Sequence, residues 1–155
     1  MQFAAKEDIE APIDAVFNMV SDFERYERSA LRRGIDVMRV GDHVRPEIGQ
    51  QWDTRFTLRG KQRNMRLTLV QFDGPSTMRF DATSKTVDAT MLVDLLSLSQ
   101  RRTRLSVDLT LKPKTLSARL VVQSLRLARK NLMRRFRLRL ADFVRMLEER
   151  HQNQA

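Results

Sequence analysis

The spacing of apolar residues changes twice along this chain. Near the N-terminus, "FAAKEDIE" (3–10) predicts a strand, and "APIDAVFNMV" (11–20) carries apolar residues at helical spacing behind a proline. The segment "SDFE" (21–24) matches a capping box, so we expect a second short helix over about residues 22–28. Residues 34–113 then alternate apolar with polar side chains at a period of two, which indicates β-strands.

Six strands are expected in this alternating region. Turn-like segments such as "GKQR" and "DGPS" separate them, and the short connections favour antiparallel neighbours. The one-sided alternation predicts a sheet with one buried face and one solvated face. The expected strands are 34–40, 50–60, 64–74, 76–84, 86–99 and 102–113.

Helical spacing returns after the last strand. Thr115 or Ser117 is placed to cap a helix that runs to about Arg150. Apolar residues recur every three or four positions along it, and this stripe is expected to lie on the sheet. The stripe comprises Val121, Leu125, Ala128, Leu132, Phe136, Leu140, Phe143 and Leu147.

This order of elements resembles the helix-grip fold of the START-like, or SRPBCC, superfamily. The similarity covers nearly the whole chain and is most specific at "IEAPIDAVFNMVSDFERY" (9–26) and from "LSARLVVQSL" (116–125) onward. It implies an α+β fold: a curved seven-stranded antiparallel sheet, two short helices after the first strand, and a long C-terminal helix across the sheet. It also implies a cavity for a hydrophobic ligand between sheet and helix. The superfamily includes lipid-transfer domains, polyketide cyclases and a family of carbon monoxide dehydrogenase subunits, so it implies no single reaction.

Strand parity predicts which side chains face the helix. If Trp52 and Phe56 point inward, then Asp53, Asp81 and Asp108 point to solvent. Methionine adapts to irregular apolar partners, so the inner surface suits a lipid-like tail, although a fully packed core is the alternative. The candidate ligand-binding residues are Trp52, Phe56, Met65, Leu67, Met78, Phe80, Met91, Leu125, Leu132 and Phe136.

No segment carries a known catalytic pattern. The chain has no Gly-rich phosphate loop, no zinc-protease motif and no nucleophile elbow, so we predict no catalytic residue, metal ligand or cofactor. His43 and His151 are expected to be solvated. Thr54 is the main polar group in the predicted interior, which disfavours a cyclase-type enzyme. That alternative would require polar groups brought inside by a one-residue register slip.

Composition places the chain among soluble globular proteins. It has 155 residues, 41% hydrophobic and 31% charged, without cysteine or an apolar run long enough to span a bilayer. We therefore expect one START-like domain over residues 1–150 and a frayed tail at 151–155. The N-terminus has no apolar signal region, so we expect a cytoplasmic protein.

The charge is concentrated near the C-terminus. The net charge is +10, and residues 101–155 hold 15 basic and 4 acidic side chains. Five cations form a predicted basic face on the helix: Arg126, Arg129, Lys130, Arg134 and Arg137. This face suits an anionic membrane surface, a ribonucleoprotein or an acidic partner, or it is merely solvated. Nucleic acid is disfavoured because the helix aromatics lie on the packed side. The favoured function is non-enzymatic binding or transport of a small hydrophobic or amphipathic ligand.

Overall fold

The structure, a computed structural model, describes residues 1–154. The strands are β1 (Gln2–Ile9), β2 (Asp36–Val40), β3 (Gln51–Leu58), β4 (Lys61–Asp73), β5 (Thr77–Thr83), β6 (Val87–Ser99) and β7 (Arg102–Pro113). The helices are α1 (Ile13–Val20), α2 (Phe23–Arg32), α3 (Leu116–Leu127) and α4 (Arg129–Gln154). The strands form one curved antiparallel sheet in the order β1-β7-β6-β5-β4-β3-β2. The predicted six-strand meander is confirmed, and β1 completes the sheet beside β7.

The strand register gathers the apolar side chains on one face of the sheet, here called the inner face. Residues directly opposite each other in antiparallel strands point to the same side. Trp52 lies opposite Leu67, Met78 lies opposite Val93, and Val93 lies opposite Val107. These pairs agree with the parity expected from the sequence.

The β3–β4 hairpin turns earlier than the sequence pattern indicated. Arg59 and Gly60 form a two-residue turn, with φ values of 52° and 75°. Two successive residues with positive φ are typical of a type I′ turn, whose twist matches that of the flanking strands. The "GKQR" segment (60–63) was expected to be the turn, but its last three residues belong to β4. Arg63 is therefore a sheet residue rather than a loop residue.

A β-bulge in β4 also departs from the expected simple alternation. The register shifts between Leu69 and Gln71, which leaves Val70 out of step and partly exposed. A bulge adds one residue to a strand without adding one to its partner. As a result, Leu69 and Phe72 both face inward, although they are three residues apart.

The two short helices confirm the predicted pair, but the capping box is wrong. Asp22 occupies the N-cap of α2, and no side chain there makes a capping hydrogen bond. The Ser21 hydroxyl instead donates to the carbonyl oxygen of Phe17 at 2.7 Å. Ser21 is buried at the end of α1, so its hydroxyl satisfies a carbonyl of that helix rather than opening the next one. Helix α2 then extends to Arg32, four residues beyond the expected end.

The C-terminal helical region is two helices rather than one. Thr115 caps α3 as predicted, accepting a hydrogen bond from the amide of Ala118 at 3.1 Å. The helix ends at Ala128, whose φ of −100° and ψ of 14° interrupt the helical path before α4 begins. Helix α4 continues through Gln154, so residues 151–154 are helical where a frayed tail was expected. Ala155 lies outside the described residues.

The packed core occupies one part of the inner face. Ile9, Leu69 and Leu147 are fully buried there, and the C-terminal half of α4 closes over them. Aromatic side chains of β3, α2 and β5 meet nearby: Phe23 lies 5.2 Å from Trp52 and 5.8 Å from Phe80 between ring centroids. The core cluster comprises Ile9, Ala11, Val16, Phe17, Met19, Phe23, Trp52, Leu69, Met78, Val93, Leu95, Leu105, Leu140, Val144 and Leu147.

Two leucines of α4 provide a matched test of this packing. Leu147 is 0% exposed and Leu138 is 58% exposed. We expect Leu147→Ala to lower the free energy of unfolding by about 2–5 kcal/mol, because it removes buried methyl groups and leaves a cavity. Leu138→Ala should change it by no more than about 0.5 kcal/mol. Urea denaturation measures both, and equal effects would contradict the assigned faces of α4.

Candidate functional site

The candidate ligand-binding residues of the strands all lie on the inner face, but they divide into three groups. Trp52 and Met78 are buried in the packed core, and Leu67, Phe80 and Met91 pack against it with part of their surface exposed. Phe56 and Met65 are half-buried and belong to neither set. The core residues are therefore committed to folding, whereas Phe56 and Met65 retain free apolar surface.

The three candidate residues of the helices also lie outside the packed core. Leu125, Leu132 and Phe136 are half-buried, and the Phe136 ring lies 6.0 Å from the ring of Phe3 on β1. Together with Phe56 and Met65 they form a set of half-buried apolar side chains, here called the open apolar set. Phe56 and Met65 lie on β3 and β4, whereas Phe136 lies against β1, so the set is spread over two regions of the inner face that the core leaves partly exposed.

The predicted helical stripe is only partly buried. Leu140 and Leu147 lie in the core as expected, whereas Val121 and Ala128 are exposed. Val122 is buried in place of Val121. The interruption at Ala128 accounts for the difference, because α3 and α4 do not share one continuous helical path.

The inner face carries polar side chains that sequence reasoning missed. Arg63 lies opposite Phe56, Glu7 lies opposite Leu105, and Thr103 lies opposite Ile9. The alternation that places Met65 inward also places Arg63 inward. The sequence therefore predicts an inward Arg63 as soon as Arg63 is assigned to a strand instead of a turn. Within the described part of the chain, the buried Nε of Arg63 has no hydrogen-bond partner. The expectation that Thr54 is the main polar group inside was wrong.

The opposite face of the sheet is charged, and its aspartates have partners there as expected. Arg66 donates to both carboxylate oxygens of Asp53, from Nε at 2.7 Å and from Nη2 at 3.0 Å. This hydrogen bonding lowers the pKa of Asp53 from its ordinary value. Asp81 Oδ1 lies 3.6 Å from Arg79 Nε, and Asp108 Oδ1 accepts a hydrogen bond from Gln2 Nε2 at 3.0 Å. These carboxylates face away from the helices and do not reach the inner face.

Two open clefts flank the packed core. The first, here called the sheet-end cleft, has a volume of about 950 Å³. Its lining includes Val37, Thr54 and Met65 of the inner face, Asp53, Arg55, Asn64 and Arg66 of the opposite face, and Lys85 and Lys114. Met65 is the member of the open apolar set that lines this cleft, which extends from there to side chains of the charged face of the sheet. None of the other nine candidate ligand-binding residues lines it.

The second, here called the polar cleft, has a volume of about 730 Å³. It lies where α1 and α2 meet the loop before β3 and the end of α4, and its lining includes Asn18, Gln50, Arg150 and His151. None of the candidate ligand-binding residues lines it. His151 therefore borders a cleft, and sequence reasoning gave no signal for this.

The predicted basic face is exposed in the structure. Arg126, Arg129, Lys130, Arg134 and Arg137 are all exposed, and no ion pair joins any of them to a carboxylate among residues 1–154. Exposed leucines accompany them on α3, including Leu127, which is 93% exposed. The surface is thus both cationic and apolar, which the sequence analysis did not anticipate.

Membrane-spanning helices and clusters of metal-ligating side chains were sought among the described residues. No helix in residues 1–154 is both long enough and apolar enough to cross a bilayer. In the same residues, no three histidine, aspartate or glutamate side chains are grouped so that they could hold a metal ion.

The fold is the helix-grip fold of START-like proteins, as comparison with solved structures shows. TTHA0849 from Thermus thermophilus is 17% identical with a TM-score of 0.65, covering 100% of this chain and 99% of that one. A START superfamily protein from Mycobacterium smegmatis is 17% identical with a TM-score of 0.56, covering 86% and 95%. Ara h 8.0201 is 12% identical with a TM-score of 0.57, covering 75% and 79%. No family model and no curated protein matches the sequence. At these identities the likeness establishes the fold alone.

The single tyrosine offers a direct test of packing between α2 and α4. Tyr26 donates its hydroxyl to the carbonyl oxygen of Met19 at 2.7 Å, and burial raises its pKa to about 12, against the weaker opposing effect of Arg150. Because folding favours the neutral phenol, Tyr26 contributes stability that is complete below pH 10 and is lost as the pH rises towards 12. Tyrosinate absorbance should titrate near pH 12 in the folded chain and near 10 in urea. A folded-state midpoint near 10 would contradict this burial.

Proposed function

We propose that this chain binds a small hydrophobic or amphipathic ligand between the sheet and the helices α3 and α4, without catalysing a reaction. The observation that carries the proposal is the open apolar set, which faces the interior of the fold without joining its packed core. Apolar surface left partly solvated inside a fold gains about 25 cal/mol per Å² when a ligand covers it. A ligand would therefore complete packing that the chain leaves unfinished.

The composition of the open apolar set suits a flexible ligand. Met65 provides an unbranched, polarizable side chain, and Phe56 and Phe136 provide broad flat surfaces. Met91 also lies on the inner face, opposite Phe80, where it packs against the core with part of its surface exposed. Such side chains adapt to a chain or ring of irregular outline, so the lining suits ligands of several shapes better than one rigid ligand.

Arg63 supplies a polar anchor for an amphipathic ligand. Its Nε is buried without a hydrogen-bond partner among residues 1–154, and it lies opposite Phe56 of the open apolar set. A buried donor left unpaired costs about 1–3 kcal/mol, so an acceptor on the ligand would offset that cost. A guanidinium group suits a carboxylate or phosphate. These properties favour an amphiphile with an anionic end near Arg63 and an apolar body over the open apolar set.

The sheet-end cleft supports a route to the inner face. Its volume of about 950 Å³ is at the upper end of the range typical of small-molecule sites. Met65 belongs both to this cleft and to the open apolar set. Lys85 and Lys114 line the same cleft, and Lys114 is paired with Asp88 at 3.1 Å. Arg55 and Arg66 line the cleft too, so its four cations outnumber its two carboxylates, Asp36 and Asp53, which is consistent with an anionic amphiphile.

The cyclase-type alternative is less well supported. It requires polar groups that act together on one substrate, and Glu7 and Arg63 are the charged groups on the inner face nearest to that role. Their strands, β1 and β4, are four strand spacings apart in the sheet order. At about 4.8 Å per spacing this is roughly 19 Å along the sheet. A general acid and base must both lie within hydrogen-bond reach of the reacting atoms, so these two groups do not form such a pair.

A matched pair of tryptophan substitutions tests the ligand site. Leu132→Trp adds bulk to the open apolar set, whereas Leu138→Trp adds the same bulk at an exposed position of α4. We expect Leu132→Trp to weaken the binding of oleate about tenfold and Leu138→Trp to leave it unchanged. Displacement of anilinonaphthalene sulfonate fluorescence measures the affinity, and circular dichroism confirms folding. Equal affinities in both folded variants, or no binding by the unmodified chain, would refute the proposal.

A second candidate function is favoured by the surface of α3 and the start of α4. Leu116, Leu120 and Leu127 are exposed there, at 74%, 59% and 93%. They accompany the exposed cations of the basic face, and amphipathic helices of this composition bind anionic membrane surfaces. RNA is less well matched, because Phe136 and Phe143 are half-buried rather than free to stack on bases. We therefore propose that this surface docks on anionic lipid.

Substitutions that each remove three positive charges, placed on two different surfaces, separate docking by this surface from an effect of net charge. The triple variant Arg126→Gln, Lys130→Gln, Arg134→Gln should fold normally and bind vesicles containing phosphatidylserine about 100-fold more weakly, at about 1 kcal/mol per cation. The control variant Arg28→Gln, Arg32→Gln, Arg33→Gln removes three cations from α2 and its end. Vesicle flotation at two salt concentrations measures both. Equal losses in the two variants would show that net charge, not this surface, drives binding.

A further inference from the structure

The polar cleft contains hydrogen-bonding groups that the folded chain does not satisfy. Gln50 is 1% exposed and lines this cleft, and its Oε1 has no hydrogen-bond partner among residues 1–154. Arg150 also lines the cleft with a side chain that is 13% exposed, and its buried Nε and Nη1 lack partners in the same residues. Buried polar groups in folded proteins are nearly always paired, so three unpaired atoms beside one cleft point to a missing partner.

The positive charge of Arg150 is only weakly compensated. Its Nη2 lies 3.5 Å from Asp22 Oδ2, which is long for a charge-assisted hydrogen bond. The same oxygen of Asp22 also lies 3.9 Å from Arg25 Nε. The Tyr26 hydroxyl is a further neighbour of Arg150, whose charge and hydrogen bonding act to lower the pKa of Tyr26. By contrast, Arg39 in the same cleft is fully engaged, since its Nε contacts both carboxylate oxygens of Glu27 and its Nη1 donates to the carbonyl of His43. Arg45, Asp22 and Glu24 line the cleft as well, and Arg150 is the lining cation whose buried donors lack partners among residues 1–154.

The unpaired atoms define the chemistry of the missing partner. The free donors of Arg150 match the oxygens of a carboxylate or phosphate. The free acceptor of Gln50 matches a hydrogen-bond donor on a molecule in the same cleft. A hydroxyl group supplies that donor without adding positive charge next to Arg150.

We infer that the polar cleft is a second binding site, separate from the open apolar set, for a small oxyanion that also carries a hydroxyl group. Arg150 binds the anionic oxygens and Gln50 accepts a hydrogen bond from the hydroxyl. The unpaired atoms are buried although both side chains line the cleft, so binding includes a side-chain rotation that brings them to the ligand. The cleft volume of about 730 Å³ accommodates such a molecule readily.

Nuclear magnetic resonance of the full chain tests this inference. Inorganic phosphate, glycolate and acetate are titrated at pH 7 and fixed ionic strength, while the signals of the Gln50 side-chain amide and the Arg150 Nε–H are followed. Phosphate and glycolate carry both an oxyanion and a hydroxyl, whereas acetate lacks the hydroxyl. We expect saturable shifts at both side chains, with glycolate binding about tenfold more tightly than acetate. Whichever of phosphate and glycolate binds more tightly identifies the oxyanion of the ligand as a phosphate or a carboxylate.

Variants with a matched control complete the test. Arg150→Gln should weaken binding of both hydroxylated probes about tenfold, whereas Arg145→Gln, at an exposed position of the same helix, should not change it. Gln50→Met should abolish the preference for glycolate over acetate. If Arg150→Gln fails to fold, the probe preference and Gln50→Met decide the question. Shifts that never saturate, or equal losses in Arg150→Gln and Arg145→Gln, would overturn the inference.

Discussion

The register of the antiparallel strands is the constraint on which the rest of this structure depends. Because side chains alternate across a strand, pairing Trp52 with Leu67 and Met78 with Val93 fixes every neighbouring position on one of two faces. A slip of one residue in β3 would move Trp52 into solvent and Asp53 beneath the helices. The Asp53–Arg66 ion pair forms only in the observed register, so charge on one face reinforces burial on the other.

The helices use this apolar face unevenly, and the unevenness creates the candidate sites. The C-terminal half of α4 packs Leu140, Val144 and Leu147 into the core, together with α1 and the start of α2. Beyond the break at Ala128, α3 has several exposed leucines and leaves the open apolar set only half-covered. The packed core thus occupies one part of the inner face, and apolar surface stays partly exposed elsewhere on that face and on α3.

Much of the fold was predictable from the sequence, because strand and helix periods differ clearly and the turns are short. The inner position of Phe56 and the outer position of Asp53 follow from alternation alone. Long-range effects were not predictable in this way. The inward Arg63 depended on where one turn closed, and the phase of Phe72 depended on a bulge. Gln50 and Arg150 are 100 residues apart in sequence, so no pattern in a short stretch of the chain could predict that their unpaired atoms border one cleft.

We propose that the inner face is filled by the chain in one part and by a ligand in the other. Native mass spectrometry of the purified chain, followed by solvent extraction, tests it most directly. We expect the measured mass to exceed that of the chain by the mass of one small amphiphile, and solvent extraction to remove this excess. Repeated preparations with the mass of the bare chain, which also take up no added oleate, would contradict it.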